Sequence, residues 1–283
     1  MAGGAAVALS SAGSEEVMKP ESCVETIAKA LRDKPGVRAL YLGGSRGAGL
    51  DDAYSDIDFL AVDIAGPSDA FAGLWREAVS RTGEIVLWWD REAKPMLINA
   101  ITDDWQRIDV EIVTPQEMAR RSRGGLKPLF DHDRLLESLP AMPAAGPHTR
   151  RLKWQFEEFI RILGLLPLAM GRKEYINSVT GAFHLRNLLV DLLIEETAAP
   201  YRGGALHLNR LITDEQKALL IALPPLLPTR DAVMAAYPAY AAAYLPRARI
   251  MAAKLGIDWP ERFETATWAH LGRTLGIERP LSR

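Results

Sequence analysis

Apolar residues recur at helical spacing from Pro20 to Leu31, where Val24, Ile27, Ala28 and Leu31 share a face, and the DKPG run at 33 to 36 ends the pattern. The period then shortens. Val37 to Leu42 is a β-rich run that stops at Gly43-Gly44-Ser45, and Asp56 to Val62 alternates before it turns apolar, as a buried strand does. Between them, GGSRGAGLDDAYS is a turn-rich connector. Pro67 to Thr82 returns to helical spacing through Phe71, Leu74, Ala78 and Val79. Three more strands are predicted at Glu84 to Trp89, Met96 to Ile101 and Trp105 to Val113. The last places Ile108, Val110 and Ile112 on one face and Arg107, Asp109 and Glu111 on the other.

From Thr114 the pattern predicts a short helix, then a loop-rich passage in which Pro140, Pro143 and Pro147 form a linker. Everything beyond reads as helix: Thr149 to Leu166, Lys173 to Glu196, Thr213 to Leu223, Arg230 to Leu255 and Pro260 to Leu275, with no strand alternation and no internal repeat. The expected organisation is α+β: a disordered tail over 1–19, a sheet-containing domain over 20–147 and a helical domain over 148–283.

The length of 283 residues suits two domains, and 48% hydrophobic with 25% charged residues is an ordinary globular composition. The single cysteine, Cys23, excludes an internal disulfide and every thiolate zinc cage, and fits a reducing compartment. The first residues carry no basic group before a short apolar stretch. The longest apolar runs, such as Ala218 to Pro228, fall short of the ~18 residues a membrane span needs, so a cytoplasmic location is expected. Net charge is −2, divided unevenly. Residues 1 to 147 hold 16 basic and 23 acidic side chains, a balance of −7, and the remainder carries +5. Such a split suits a cleft that holds metal and a cationic substrate on one wall and phosphates on the other, or is surface charge spread unevenly; it lacks the basic excess of a duplex-binding protein.

The chemistry concentrates in two short stretches. Asp56 and Asp58 are two apart on a strand and share a face, while Ile57 and Phe59 point to the core. Two adjacent negative charges are costly unless a cation lies between them, and carboxylate oxygens suit Mg²⁺. Asp109 offers a third carboxylate, and three on neighbouring strands suit two ions in phosphoryl transfer. The Gly-Gly-Ser element allows the backbone to approach a phosphate, with the Ser45 hydroxyl as a further donor. It is neither a Walker A loop nor a dinucleotide fingerprint.

LGGS, then SDIDFLAV, then RIDVEIV resembles the polymerase-β-type nucleotidyltransferase superfamily over roughly residues 37 to 113. With a helical second domain, the chain is most similar to the nucleotidyltransferases that modify aminoglycoside and lincosamide antibiotics. The resemblance implies a mixed sheet with flanking helices, two Mg²⁺ ions, and transfer of AMP or another nucleoside monophosphate from ATP or another NTP to a hydroxyl, with release of pyrophosphate. It assigns Gly44 and Ser45 to the triphosphate and Asp56, Asp58 and Asp109 to the metals. Arg46 resembles the basic residues that follow this loop in minimal nucleotidyltransferases.

Candidate acceptor contacts are spread more widely. Glu111 shares the face of Asp109. In the helical domain His184, Asn187, Asp191 and Glu195 form a stripe that either lines a cleft or is simply solvated. Glu157 and Glu158 follow Trp154 and offer a base near a sugar hydroxyl, or surface charge. Arg202, His207 and Arg210 sit in a glycine-containing loop. Trp88 and Trp89 read as core and rim. No HExxH spacing points to a zinc hydrolase. The expected partners are an NTP and a small hydroxylated acceptor, for a monomer or homodimer. The alternatives are an AMP transferase acting on protein and a non-catalytic nucleotide-binding regulator; a tRNA-end polymerase is disfavoured by the small basic excess and the absence of a Val-Arg-Asp continuation after the glycine motif.

Overall fold

The computed structural model describes residues 18–91, 96–142, 146–198 and 207–279. Residues 1–17 of the tail expected over 1–19, Pro143 of the linker and Arg202 lie outside the described residues. The chain divides into two compact units, Met1–Pro143 and Ala144–Arg283.

The first unit runs α1 (Pro20–Leu31), β1 (Val37–Leu42), α2 (Gly44–Gly47), β2 (Ile57–Asp63), α3 (Asp69–Val79), β3 (Ile85–Arg91), β4 (Met96–Thr102), β5 (Arg107–Val113), α4 (Pro115–Met118), β6 (Lys127–Asp131) and α5 (Leu135–Ser138). Among the described residues the strands form one six-stranded sheet in the order β3-β4-β5-β2-β1-β6. Every neighbouring pair is antiparallel except β2 and β5, so the mixed sheet that the resemblance implies is present. One face, carrying Leu40, Ile57, Phe59, Ile98, Ala100, Ile108 and Val110, packs with α1 and α3 into the larger core. The opposite face carries a smaller apolar cluster around Tyr41, Leu60, Val62 and Val113, and leaves the other ends of β2 and β5 polar.

Capping explains where several helices begin. Ser68 accepts from the Phe71 amide at 3.2 Å, which starts α3 two residues later than the spacing suggests. Thr114 and Glu117 form a reciprocal capping box at α4. The passage read as loop after Thr114 contains β6, a correction to the sequence reading. Lys127 and Pro128 mask it as coil, and only Phe130 is buried. What holds it is remote in sequence: β6 pairs with β1, and the Asp131 carboxylate accepts from Tyr41 Oη at 2.8 Å and from the Leu135 and Leu136 amides at 2.9 Å.

The second unit is helical, as expected: α6 (Thr149–Gly164), α7 (Leu166–Gly171), α8 (Tyr175–Thr197), α9 (Leu208–Leu211), α10 (Asp214–Ala222), α11 (Arg230–Leu255) and α12 (Glu261–Leu275). The predicted helix to Leu166 breaks at Leu165 because Pro167 can open a helix but cannot continue one. The core is built from Phe156, Phe159, Leu189, Leu192, Tyr240 and Tyr244, with Phe159 and Tyr244 stacked at 3.8 Å between centroids.

Glu264, only 1% exposed, ties the end of this unit together. Its carboxylate accepts from Trp259 Nε1 at 2.7 Å and Trp268 Nε1 at 3.3 Å, and pairs with Arg249 and, at 3.1 Å, with Arg279. Glu264→Gln keeps the shape and removes the charge that faces both arginines. We expect it to lower stability by about 1–2 kcal/mol in urea titration, with the slope of the transition unchanged.

Candidate functional site

The site is built where β1 ends and β2 and β5 begin. The Gly43 amide donates to the Asp58 carbonyl at 2.8 Å, which clamps the start of α2 against β2. Gly44 then adopts φ +53°, and a Cβ there would stand 1.8 Å from Asp58 Oδ2. Only a bare Cα lets the chain turn so close to that carboxylate. Ser45 follows, 6% exposed, and its Oγ is buried with no hydrogen-bond partner. An orphaned hydroxyl beside a glycine turn is a donor held ready for a ligand oxygen.

Strand register decides what lies beside this turn. Asp58 on β2 pairs with Asp109 on β5, Asp109 with Asn99 on β4, and Asn99 with Trp89 on β3. The neighbours Ile57, Ile108, Val110, Ile98 and Ala100 point into the larger core, so alternation puts Asp58, Asp109, Asn99 and Trp89 on the other face. They form a lateral row across four strands, with Gly44 and Ser45 at its β1 end. Burial, then the charge of Asp56, then that of Asp109, push the Asp58 carboxyl up to about 6, with Arg107 pulling the other way.

Asp56 stands just before β2, its Oδ2 3.5 Å from Arg107 Nη1, and Arg107 also donates to the Tyr54 carbonyl at 2.8 Å. Among the described residues no three His, Cys, Asp or Glu side chains are grouped closely enough to hold an ion as they stand. The predicted carboxylate trio is therefore not gathered as a cage: Asp58 and Asp109 are neighbours in register, and Asp56 leans on Arg107. The donor chemistry nonetheless fits a hard cation, because two adjacent carboxylates share one partly buried face of the sheet.

Arg46 was expected to meet the nucleotide. Its side chain is 8% exposed and donates to the Asp56 carbonyl at 3.2 Å and to Asp51 at 3.2 Å, with Glu21 at 3.6 Å. It fastens the connector between α2 and β2. Glu111, a candidate acceptor contact, is held by both Arg121 guanidinium nitrogens, Nη1 at 2.8 Å. That pair is about one-third exposed on each side, so Glu111→Gln is expected to keep more than half of wild-type turnover and to cost under about 1 kcal/mol of stability, read by steady-state assay and thermal melt.

In the helical unit, His184 lines a cavity of about 340 Å³ with Glu158, Arg161, Thr180 and Tyr237. Glu158, not Glu157, reaches it; Glu157 is half-buried on α6. Asp191 accepts from Arg151 and from Gln155 Nε2, each at 2.9 Å, and so straps α8 to α6. Glu195 is buried, which breaks the predicted polar stripe.

Sequence reasoning missed Asn99, an uncharged polar residue within the apolar run MLINAIT. Its alternation with Ile98 and Ala100 was the available signal. Its Oδ1 is buried without a hydrogen-bond partner.

Among solved structures, an aminoglycoside 6-adenyltransferase from Bacillus subtilis aligns over 90% of this chain and 98% of its own, at 12% identity and a TM-score of 0.42. A nucleotidyltransferase-like protein from Exiguobacterium sibiricum aligns over 89% of this chain and 88% of its own, at 14% identity and a TM-score of 0.36. The apo form of a CCA-adding enzyme aligns over 93% of this chain and 68% of its own, at 14% identity and a TM-score of 0.32. No protein-family profile and no curated protein matches the sequence. No helix among the described residues is long and apolar enough to cross a membrane.

Proposed function

We propose that this protein is a nucleotidyltransferase that moves a nucleoside monophosphate, AMP in the first instance, from an NTP to a hydroxyl of a small polyhydroxylated acceptor. The observation that carries this reading is the pairing of Asp58 with Asp109 on one face, directly beside the Gly44 turn and the orphaned Ser45 hydroxyl. The Gly44 and Ser45 backbone and Ser45 Oγ receive triphosphate oxygens. Asp58 and Asp109, with Asp56 turned from Arg107, would hold Mg²⁺, which offsets phosphate charge and lowers the cost of bringing an oxygen nucleophile to phosphorus. The acceptor oxygen bonds to the α-phosphorus, the bond from that phosphorus to the β-phosphate bridging oxygen breaks, and pyrophosphate departs with the electron pair. The hydroxyl proton passes to the Asp109 carboxylate.

A small acceptor suits the charge balance of the first unit better than a polyanion does. Its residues sum to −7, which repels a tRNA backbone and attracts amino sugars. The deciding measurement is ATP binding with and without Mg²⁺, together with pyrophosphate release over a panel of aminoglycosides and lincosamides. Metal-dependent ATP binding and a product heavier by one nucleoside monophosphate support the reading. ATP binding without any transfer returns the protein to a nucleotide-binding regulator, and AMP found on a protein moves the acceptor class. Exposed charge pairs are screened beyond about 8 to 10 Å near physiological ionic strength, so capture of a cationic acceptor should weaken as salt rises. We expect a several-fold increase in acceptor KM between low and high salt with ATP KM changing less.

A further inference from the structure

The end of the sheet that carries the Gly44 turn, where β1 stops and β2 and β5 begin, also carries a cavity. Its volume is about 380 Å³, within the range of small-molecule sites, and its walls come from Lys19 before α1, Tyr54 in the connector between α2 and β2, and Trp105 and Arg107 at the start of β5, with Ile57 in the apolar lining. Arg107 belongs to both places. It approaches Asp56 Oδ2 at 3.5 Å, and it stands two residues before Asp109, which puts this wall of the cavity roughly 7 Å along the strand from the carboxylate pair.

Trp105 is a residue that the fold does not account for. It closes the turn between β4 and β5, where its amide donates to the Thr102 carbonyl at 2.9 Å, and its φ is +63°, a conformation that glycine adopts freely and a bulky side chain only with strain. The indole is then left 74% exposed, and the Tyr54 ring in the same cavity 88% exposed, with neither stacked on another ring among the described residues. Backbone strain and apolar exposure both oppose a tryptophan at this turn, and such outliers collect where a ligand is held. Charge on the rim narrows the ligand. Lys19 and Arg107 are cationic, whereas the Asp104 carboxylate accepts from Thr102 Oγ1 within its own turn. Two cations beside two open aromatic faces disfavour an amino sugar and suit a flat ring that carries a phosphate.

We infer that this cavity takes the nucleobase of the donor nucleotide, stacked on Trp105 and edged by Tyr54, with the phosphates running past Arg107 to the Gly44 and Ser45 turn. The inference rests on the nucleotidyl-transfer reading above. It makes recognition of the base separable from recognition of the triphosphate.

The test uses the full chain with Mg²⁺ and two probes, ATP and inorganic tripolyphosphate, which lacks the base. Calorimetry should show ATP bound at least tenfold more weakly by Trp105→Gly, at least threefold more weakly by Tyr54→Ala, and within threefold of wild type by Trp105→Phe. Glycine suits the backbone at 105, so the loss in that variant does not come from a disturbed turn. Tripolyphosphate affinity should stay within twofold of wild type in all three variants, which also shows that they are folded. Tryptophan emission should fall when ATP is added to wild type and change less in Trp105→Phe, although that variant still binds. ATP affinity within twofold of wild type in Trp105→Gly overturns the inference, as does an equal loss of ATP and tripolyphosphate affinity, which a merely structural role would produce. Failure of the underlying reading looks different: wild type binds neither probe and transfers no nucleoside monophosphate.

Discussion

Asp58→Asn should abolish transfer and at the same time make the metal-free protein more stable. On the catalytic side, the substitution keeps the side-chain shape and removes a carboxylate from the pair proposed to hold Mg²⁺. A loss of about a thousandfold in turnover corresponds to roughly 4 kcal/mol of transition-state stabilisation. On the folding side, burial and the charges of Asp56 and Asp109 raise the Asp58 carboxyl from 3.8 to about 6. The folded protein therefore holds that proton more tightly than the unfolded chain. The stability contributed by the neutral form is full below pH 3.8 and is lost as pH climbs through about 6. At neutral pH the ionised group opposes folding by about 1–3 kcal/mol, an amount the amide does not incur. The stability advantage of the variant should thus grow between about pH 4 and pH 6 and then level off, and Mg²⁺ should narrow it by stabilising wild type alone. Thermal melts across pH, with turnover assays on the same samples, read both effects. A variant with more than a tenth of wild-type turnover, or one no more stable than wild type at neutral pH, contradicts the account.

Gly44→Val should be nearly as damaging to nucleotide binding, through a different cause. The position has φ +53°, which a β-branched residue adopts only with strain, and its Cβ would collide with Asp58 Oδ2. Relief of that contact displaces the carboxylate that stands beside Asp109 or the turn itself. Either α2 lifts from β2, breaking the Gly43 amide bond to the Asp58 carbonyl, or Asp58 swings away from Asp109. We expect Mg·ATP affinity to fall at least thirtyfold by calorimetry. Ser45→Ala removes one donor and leaves the turn intact, so its loss should be smaller, about three- to tenfold. Unchanged affinity in Gly44→Val would show that the turn does not hold the nucleotide.

Much of this site was legible in the sequence because strand alternation is a local code. The i, i+2 spacing of Asp56 and Asp58, and the clean alternation of Arg107 to Val113, fixed which side chains leave the core before any pairing was known. Pairing itself was not local. Nothing in MLINAIT says that Asn99 lies opposite Asp109, and nothing in KPLFD says that it adds a strand to β1. Arg46 was placed with the nucleotide by its resemblance to the basic residues that follow this loop in minimal nucleotidyltransferases. Its actual partners, Asp51, Glu21 and the Asp56 carbonyl, are set by how the connector folds back. Charged groups are the hardest to place from sequence for this reason, since their role depends on which opposite charge arrives first. Glu111 and Asp191 show the same effect, each drawn to an arginine the linear spacing did not reveal.

The single parallel pair in an otherwise antiparallel sheet has a kinetic consequence. β3, β4 and β5 are joined by short connections and pair as neighbours, and β1 meets β2 across the connector that contains α2. β2 and β5 are separated in sequence by α3, β3 and β4, since parallel neighbours need a crossover, and the chain between them must be closed at an entropic cost. Non-local pairing of this kind comes late and slowly in folding. Asp58 and Asp109 are thus joined across a seam that closes after these local pairings, as does the more distant pairing of β1 with β6. Amide hydrogens along that seam should exchange only through wholesale opening of the sheet, and a nucleotide bridging it would slow unfolding far more than it would speed refolding.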